Sequence, residues 1–269
     1  MPDGNPPMHL QRRRVVAILS ALALSGAAAA PLRAQTPPIV AAAADLRFAI
    51  ADVAAKFEQD TGQQLKFVFG SSGNFKTQIL QGAPFQMLMS ADEDYVFQLA
   101  AAGRTEGRGR LYAIGRIGIL VPTGSPLKAD GELRDLGAAL KDGRLKKFAI
   151  ANPEHAPYGL RAKEALQHAG LWDAIQGKLV LGENIAQTAQ FATSGSTQGG
   201  IVALSLAKAP AVARLGRFEL IPDTWHEPLR QRMVLLKGAT PTVRAFYAYL
   251  STPAAQVIMV RYGFAMPRD

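Results

Sequence analysis

The chain has 269 residues, a formal net charge of +9 and no cysteine. Without thiols it has no disulfides, thiolate metal centres, cysteine nucleophiles or lipid-bearing cysteine anchor. Its basic residues are scattered, with Lys146-Lys147 and Arg230 to Arg232 the nearest approach to clusters, which predicts a mild field for anions and no nucleic-acid surface.

Residues 1–34 read as an export signal. Arg12 to Arg14 form the positive patch, Val15 to Leu24 the apolar core, and Gly26 to Ala34 a small-residue region with cleavage expected after Ala34 or near Ala30. The apolar core is shorter than the roughly 20 residues that span a bilayer, so a soluble protein exported to the periplasm is expected. This leader carries four of the 30 basic residues and one of the 21 acids, so it inflates the charge.

From Ile39 onward, short apolar runs alternate with runs of helical spacing. Ile39 to Ala44 predicts a buried strand, and Leu46, Ala49, Ile50, Val53, Ala54 and Phe57 share one face of a helix that stops at Thr61-Gly62. Strands are predicted at Leu65 to Phe69 and Phe85 to Met89, with helices from Asn74 to Gln81 and from Asp92 to Ala102. Such strand–helix alternation implies a largely parallel sheet covered on both faces. The apolar segment Leu111 to Val121 reads as one strand leading out of the first lobe. Past the turn at Pro122 to Pro126 the alternation restarts, with helices at Leu133 to Leu140, Gly159 to Ala169 and Ile185 to Thr193. Strands are predicted at Lys147 to Ala151, Lys178 to Leu181, Gly200 to Leu204, Phe218 to Ile221 and Met233 to Leu236, and helical runs around Val243 to Leu250 and Pro253 to Val260 close the chain. Two α/β lobes follow, 35–118 with 225–269 and 119–224, joined by crossing strands around a cleft where open α/β sheets place ligands.

Gly70-Ser71-Ser72-Gly73 stands between a strand and a helix, where a turn of small hydroxyl residues presents free N–H groups to an oxyanion. Further strand-to-helix junctions carry Ala42-Ala43-Ala44-Asp45-Leu46, Asn152-Pro153-Glu154-His155-Ala156-Pro157-Tyr158-Gly159 and Gly182-Glu183-Asn184. Together with Gln81-Gly82-Ala83-Pro84, Ser90-Ala91-Asp92, Gly200-Ile201-Val202-Ala203 and Arg261-Tyr262-Gly263-Phe264, and taken in chain order, they resemble the periplasmic molybdate-binding proteins of ABC importers.

The resemblance implies a type II periplasmic-binding-protein fold, two α/β lobes with a hinge and a ligand cleft. It implies molybdate or tungstate held by neutral hydrogen bonds, with no cofactor and no cation site. It further implies a membrane permease with a cytoplasmic ATPase as partners, and a monomer. By this correspondence Ser72 donates its hydroxyl and N–H, while Tyr158 and Ile185 give backbone N–H from helix starts. Asp45 stands where many members have serine, and Ala203 where many have a tyrosine that reaches the anion. Three readings of Asp45 stay open, the first favoured: it caps its own helix through the N–H of Arg47 or Phe48, it takes a proton when ligand binds, or the ligand differs. Tyr158 is a candidate to replace the hydroxyl lost at Ala203. Ser71 reads as a turn residue, Asn184 as a helix cap and His155 as structural, while His168 and His226 lack metal-ligand partners at useful spacing.

Hydrolase, zinc-peptidase and nucleotide-binding motifs are absent from the sequence. A binder is therefore expected rather than an enzyme. The alternatives are a binding protein for another oxyanion or a metal chelate, and a ligand-sensing domain of the same fold.

Overall fold

The computed structural model describes residues 36–267, and the expected export signal lies outside them. The first sheet is built on β1 (Ile39–Ala43), whose residues from Val40 onward are all buried. Alanines on both faces of this strand let helices pack closely against it. It pairs in parallel with β2 (Lys66–Gly70) and β3 (Phe85–Ser90). A 3-10 turn (Ala44–Leu46) runs directly into α1 (Arg47–Thr61), while α2 (Ser72–Leu80) and α3 (Glu93–Ala101) follow β2 and β3. Asp92 caps α3 by accepting from the Asp94 N–H at 2.9 Å, a role to which aspartate is well suited. Two later strands, β4 (Arg110–Gly115) and β10 (Leu229–Leu235), complete the order β2-β1-β3-β10-β4, with β10 antiparallel to both neighbours.

The second sheet contains β5 (Ile117–Pro122), β6 (Phe148–Ala151), β7 (Leu179–Gly182), β8 (Gly200–Ala203) and β9 (Gly216–Leu220), in the order β7-β6-β8-β5-β9. Between its strands run α4 (Arg134–Lys141), α5 (Pro157–His168), the single-turn α6 (Trp172–Ile175), α7 (Ile185–Thr193), and the short α8 (Leu204–Ala207) and α9 (Pro210–Ala213). The chain ends in α10 (Pro241–Tyr249) and α11 (Pro253–Arg261), which pack back on the first lobe. There Phe246 meets the buried Phe57 of α1 edge to face, ring centroids 5.3 Å apart. An edge-to-face pair of this kind contributes about 0.5–1.5 kcal/mol beyond its buried area.

The two-lobed α/β architecture expected from the sequence is present. One element differs: Leu111 to Val121 is two strands in two different sheets, broken at Arg116. Both halves are buried, so their hydropathy runs on unbroken through the crossing. The Arg116 carbonyl accepts from the Leu204 N–H at 3.0 Å, and its guanidinium faces Asp223 at 3.5 Å, which fixes the crossing point. Strand β10 also begins earlier than its apolar stretch suggests, at Leu229, and so includes the buried Gln231.

Candidate functional site

Four strand-to-helix junctions converge on one small cavity. Its lining includes Ala44 and Asp45 after β1, Ser72 after β2, Tyr158 after β6, and Asn184 with Ile185 after β7. The first two junctions belong to the first lobe and the last two to the second. All four residues expected to hold ligand, Asp45, Ser72, Tyr158 and Ile185, therefore meet, although 140 positions separate the first from the last.

Each junction has a local cause. Ser71 is the N-cap of α2, its Oγ accepting from the Asn74 N–H at 3.4 Å. Asn184 caps α7 through Oδ1, which accepts from the N–H groups of Ala186 and Gln187 at 3.0 and 3.1 Å. Pro157 opens α5 at a position where a missing N–H costs nothing. Ser72, Tyr158 and Ile185 thus occupy first-turn positions, where N–H groups have no partner within their helix and the helix dipole favours an anion. Ser72 is fully buried, and its Oγ accepts from the Ala91 N–H at 2.9 Å, which leaves the hydroxyl proton to be donated. Among the described residues no lysine or arginine lines the cavity, and Asp45 is the one acidic residue that does.

Asp45 does not cap α1. The N-cap of that helix is Leu46 and no side chain caps it. Instead the Asp45 carboxylate is buried, and Oδ2 accepts from the Tyr158 hydroxyl at 2.8 Å and from Gln231 Nε2 at 2.7 Å. The network continues as the Tyr112 hydroxyl donates to Gln231 Oε1 at 2.7 Å. From the second lobe Ser205 Oγ donates to the Asp45 carbonyl at 2.9 Å. Asp45 Oδ1 has no hydrogen-bond partner. Burial is the dominant influence on this carboxyl and pushes its pKa up to about 6, against the downward pull of Gln231, Tyr158 and the nearby backbone N–H groups of Asp45 and Leu46. Burial, with the nearby Asp45 charge, holds both Tyr158 and Tyr112 well above the usual phenol value.

The Tyr158 hydroxyl, a candidate donor to the anion by the resemblance, is engaged by Asp45 and Gln231. Ala203 itself is buried at the end of β8, outside the cavity lining. A glycine makes the network possible: a Cβ on Gly115, at the end of β4, would lie 2.5 Å from the Tyr158 hydroxyl and 2.7 Å from Gln231 Nε2.

One contributor escaped sequence reading: Gln231 carries no motif and sits 186 positions from Asp45. His155, read as structural, joins the lobes: its carbonyl accepts from the Gly73 N–H at 3.0 Å, and its Nδ1 lies 2.9 Å from Ser71 Oγ. Among the described residues no cluster of His, Asp or Glu is arranged to hold a metal ion.

A profile of the bacterial extracellular solute-binding protein family matches residues 39–265. A molybdate-binding protein of Azotobacter vinelandii is 36% identical over 257 residues, covering 94% of this chain and 97% of the relative. One from Rhodobacter capsulatus is 35% identical over 230 residues, covering 84% and 87%. The solved structure of the periplasmic molybdate-binding protein of Azotobacter vinelandii superposes with a TM-score of 0.77 at 28% identity, covering 86% of this chain and all of that one. A cleft between two α/β lobes, walled by helix N-termini, thus coincides with a family match over nearly all the described residues: this chain belongs to the bacterial extracellular solute-binding proteins.

Proposed function

We propose that the protein captures molybdate in the periplasm and hands it to an ABC importer, with Ser72, Tyr158 and Ile185 as donors to the anion. The observation that carries this reading is the convergence of four helix or 3-10 N-termini on a single cavity that no basic side chain lines. Such a site neutralises an oxyanion by oriented N–H groups and hydroxyls, without the fixed counter-charge that would retain any anion indiscriminately. Similarity to relatives named molybdate-binding proteins selects the tetrahedral dianion, and tungstate shares its shape and charge. The role is capture and release by lobe closure, not catalysis. A membrane permease driven by a cytoplasmic ATPase would receive the closed form.

Asp45 favours a second reading, an oxyanion that brings its own proton, such as hydrogen phosphate, to the unpartnered Oδ1. Thermal unfolding of the purified protein with molybdate, tungstate, sulfate or phosphate separates the two. A ligand that binds only the folded state raises stability by RT ln(1 + [L]/Kd), so a tight ligand acts at low concentration. Stabilisation by molybdate and tungstate at concentrations where sulfate and phosphate do nothing is expected. A response to phosphate alone would replace the first reading with the second.

A further inference from the structure

The wall of the cavity contains a feature that an anion site made only of donors lacks. Asp45 is buried, lines the cavity and leaves Oδ1 without a partner, while Oδ2 is fixed from two sides by Tyr158 and Gln231. Those two donors fill Oδ2 and prevent the carboxylate from turning away. A dianion drawn to the N–H groups of Ser72, Tyr158 and Ile185 therefore shares the cavity with this carboxylate. Two bare oxyanions at hydrogen-bond distance in a buried site repel strongly. A hydrogen bond between them requires a proton.

We propose that capture of a fully ionised tetrahedral oxyanion takes up one proton from solvent, held between Asp45 Oδ1 and an oxygen of the anion, so that this chain is a proton-coupled oxyanion binder. The inference rests on the binding role proposed above and adds the protonation state of the complex. No bond to the anion's central atom forms or breaks. The solvent buffer loses one proton, the complex gains it, and release returns it.

The surroundings of Asp45 make it the group that takes the proton. The facing titratable groups are the phenols of Tyr158 on α5 and Tyr112 on β4, both held protonated by burial. Of the other elements packed on the 3-10 turn, α7 and α8 carry no titratable side chain, and Arg47 of α1 and Lys66 of β2 are exposed. On β10, Arg230 and Arg232 are engaged by Glu93, and Arg161 of α5 by Glu164. Outside this shell, the His155 imidazole contacts Ser71 of the cavity lining through Nδ1, and its Nε2 lies 3.7 Å from Glu183. The Asp45 pKa near 6 in the ligand-free protein means that at pH 7 and above the proton must be acquired on binding.

Calorimetric titration with molybdate at pH 5.5, 7 and 8, each in two buffers of different ionisation heat, tests this on the unaltered protein. Expected are an uptake approaching one proton at pH 8 and an apparent Kd that rises about tenfold per pH unit above pH 7. In Asp45→Asn the uptake falls to zero and the Kd is level with pH. A His155→Gln variant keeps the proton uptake and the slope of Kd with pH even where loss of its contact to Ser71 weakens binding at every pH. Binding of molybdate with no proton uptake overturns the inference and leaves the binding role standing. An Asp45→Asn profile as steep as the wild type overturns it in favour of His155. Absence of molybdate binding at every pH overturns both.

Discussion

The Tyr158 hydroxyl, carried by the second lobe, donates to Asp45 Oδ2 of the first lobe at 2.8 Å. Both residues also line the cavity, so the contact that closes the cleft and the wall that meets the ligand are built from the same side chains. Gln231 sits on β10, which follows the second crossing between the lobes, and donates to Asp45 at 2.7 Å while lying 2.9 Å from the Tyr158 hydroxyl. Closure, hinge and site are thereby linked through one buried carboxylate.

Asp45 makes stability depend on pH in an unusual sense. Its folded-state pKa is raised from 3.8 to about 6, so between those values the folded protein holds a proton that the unfolded chain has released. Stability from this group falls as pH rises through that window, by up to about 3 kcal/mol, and is level above it. Urea unfolding of wild type and Asp45→Asn at pH 4 to 7 checks this: the variant should gain on the wild type up to about pH 6 and no further.

Ser72→Ala removes the proposed donor to the anion and the acceptor of the Ala91 N–H. Leaving that buried N–H unpaired costs about 1–3 kcal/mol, so the variant should be less stable as well as weaker in binding. Molybdate titration and thermal unfolding of the same sample measure the two losses, with binding expected to fall at least about tenfold for a lost charge-assisted hydrogen bond.

Gly73→Ala tests the His155 clasp. An added Cβ would lie 2.6 Å from the His155 carbonyl oxygen, a backbone atom of the opposite lobe. The substitution suits the helix, where alanine is favoured over glycine by about 1 kcal/mol. The expected outcome is a folded protein whose lobes fail to close, seen as weaker molybdate binding and the absence of ligand-induced compaction in solution scattering. Unchanged affinity would show that the clasp is dispensable.

Asn184→Ala removes the cap of α7 and should cost about 1 kcal/mol. Because Ile185 is the first residue of that helix, fraying there should also loosen anion binding. Thermal unfolding and molybdate titration of the variant report the two effects separately.

Residues whose function follows from their neighbours in the chain were legible beforehand. Asn184 before an apolar helical run predicts a cap and is one, and Ser72 at the mouth of α2 follows from the small hydroxyl turn. Of the three readings that the sequence leaves open for Asp45, the favoured one, a cap, is not the one found, because its partners, Tyr158, Ser205 and Gln231, arrive from 113, 160 and 186 positions away. Local propensity ranks aspartate among the best caps, and burial beside distant donors overrode it. The crossing at Arg116 was hidden for a related reason, since both flanking strands are buried and read as one apolar run.

Diffraction from crystals grown with molybdate, with anomalous data collected at the molybdenum edge, tests most directly whether the four helix mouths form an oxyanion site. One anomalous peak is expected in the cavity, its oxygens about 2.7–3.2 Å from Ser72 Oγ and the N–H groups of Tyr158 and Ile185, with Asp45 Oδ1 in contact with one of them. A peak outside that cavity, or none in crystals of protein saturated with molybdate, would contradict it.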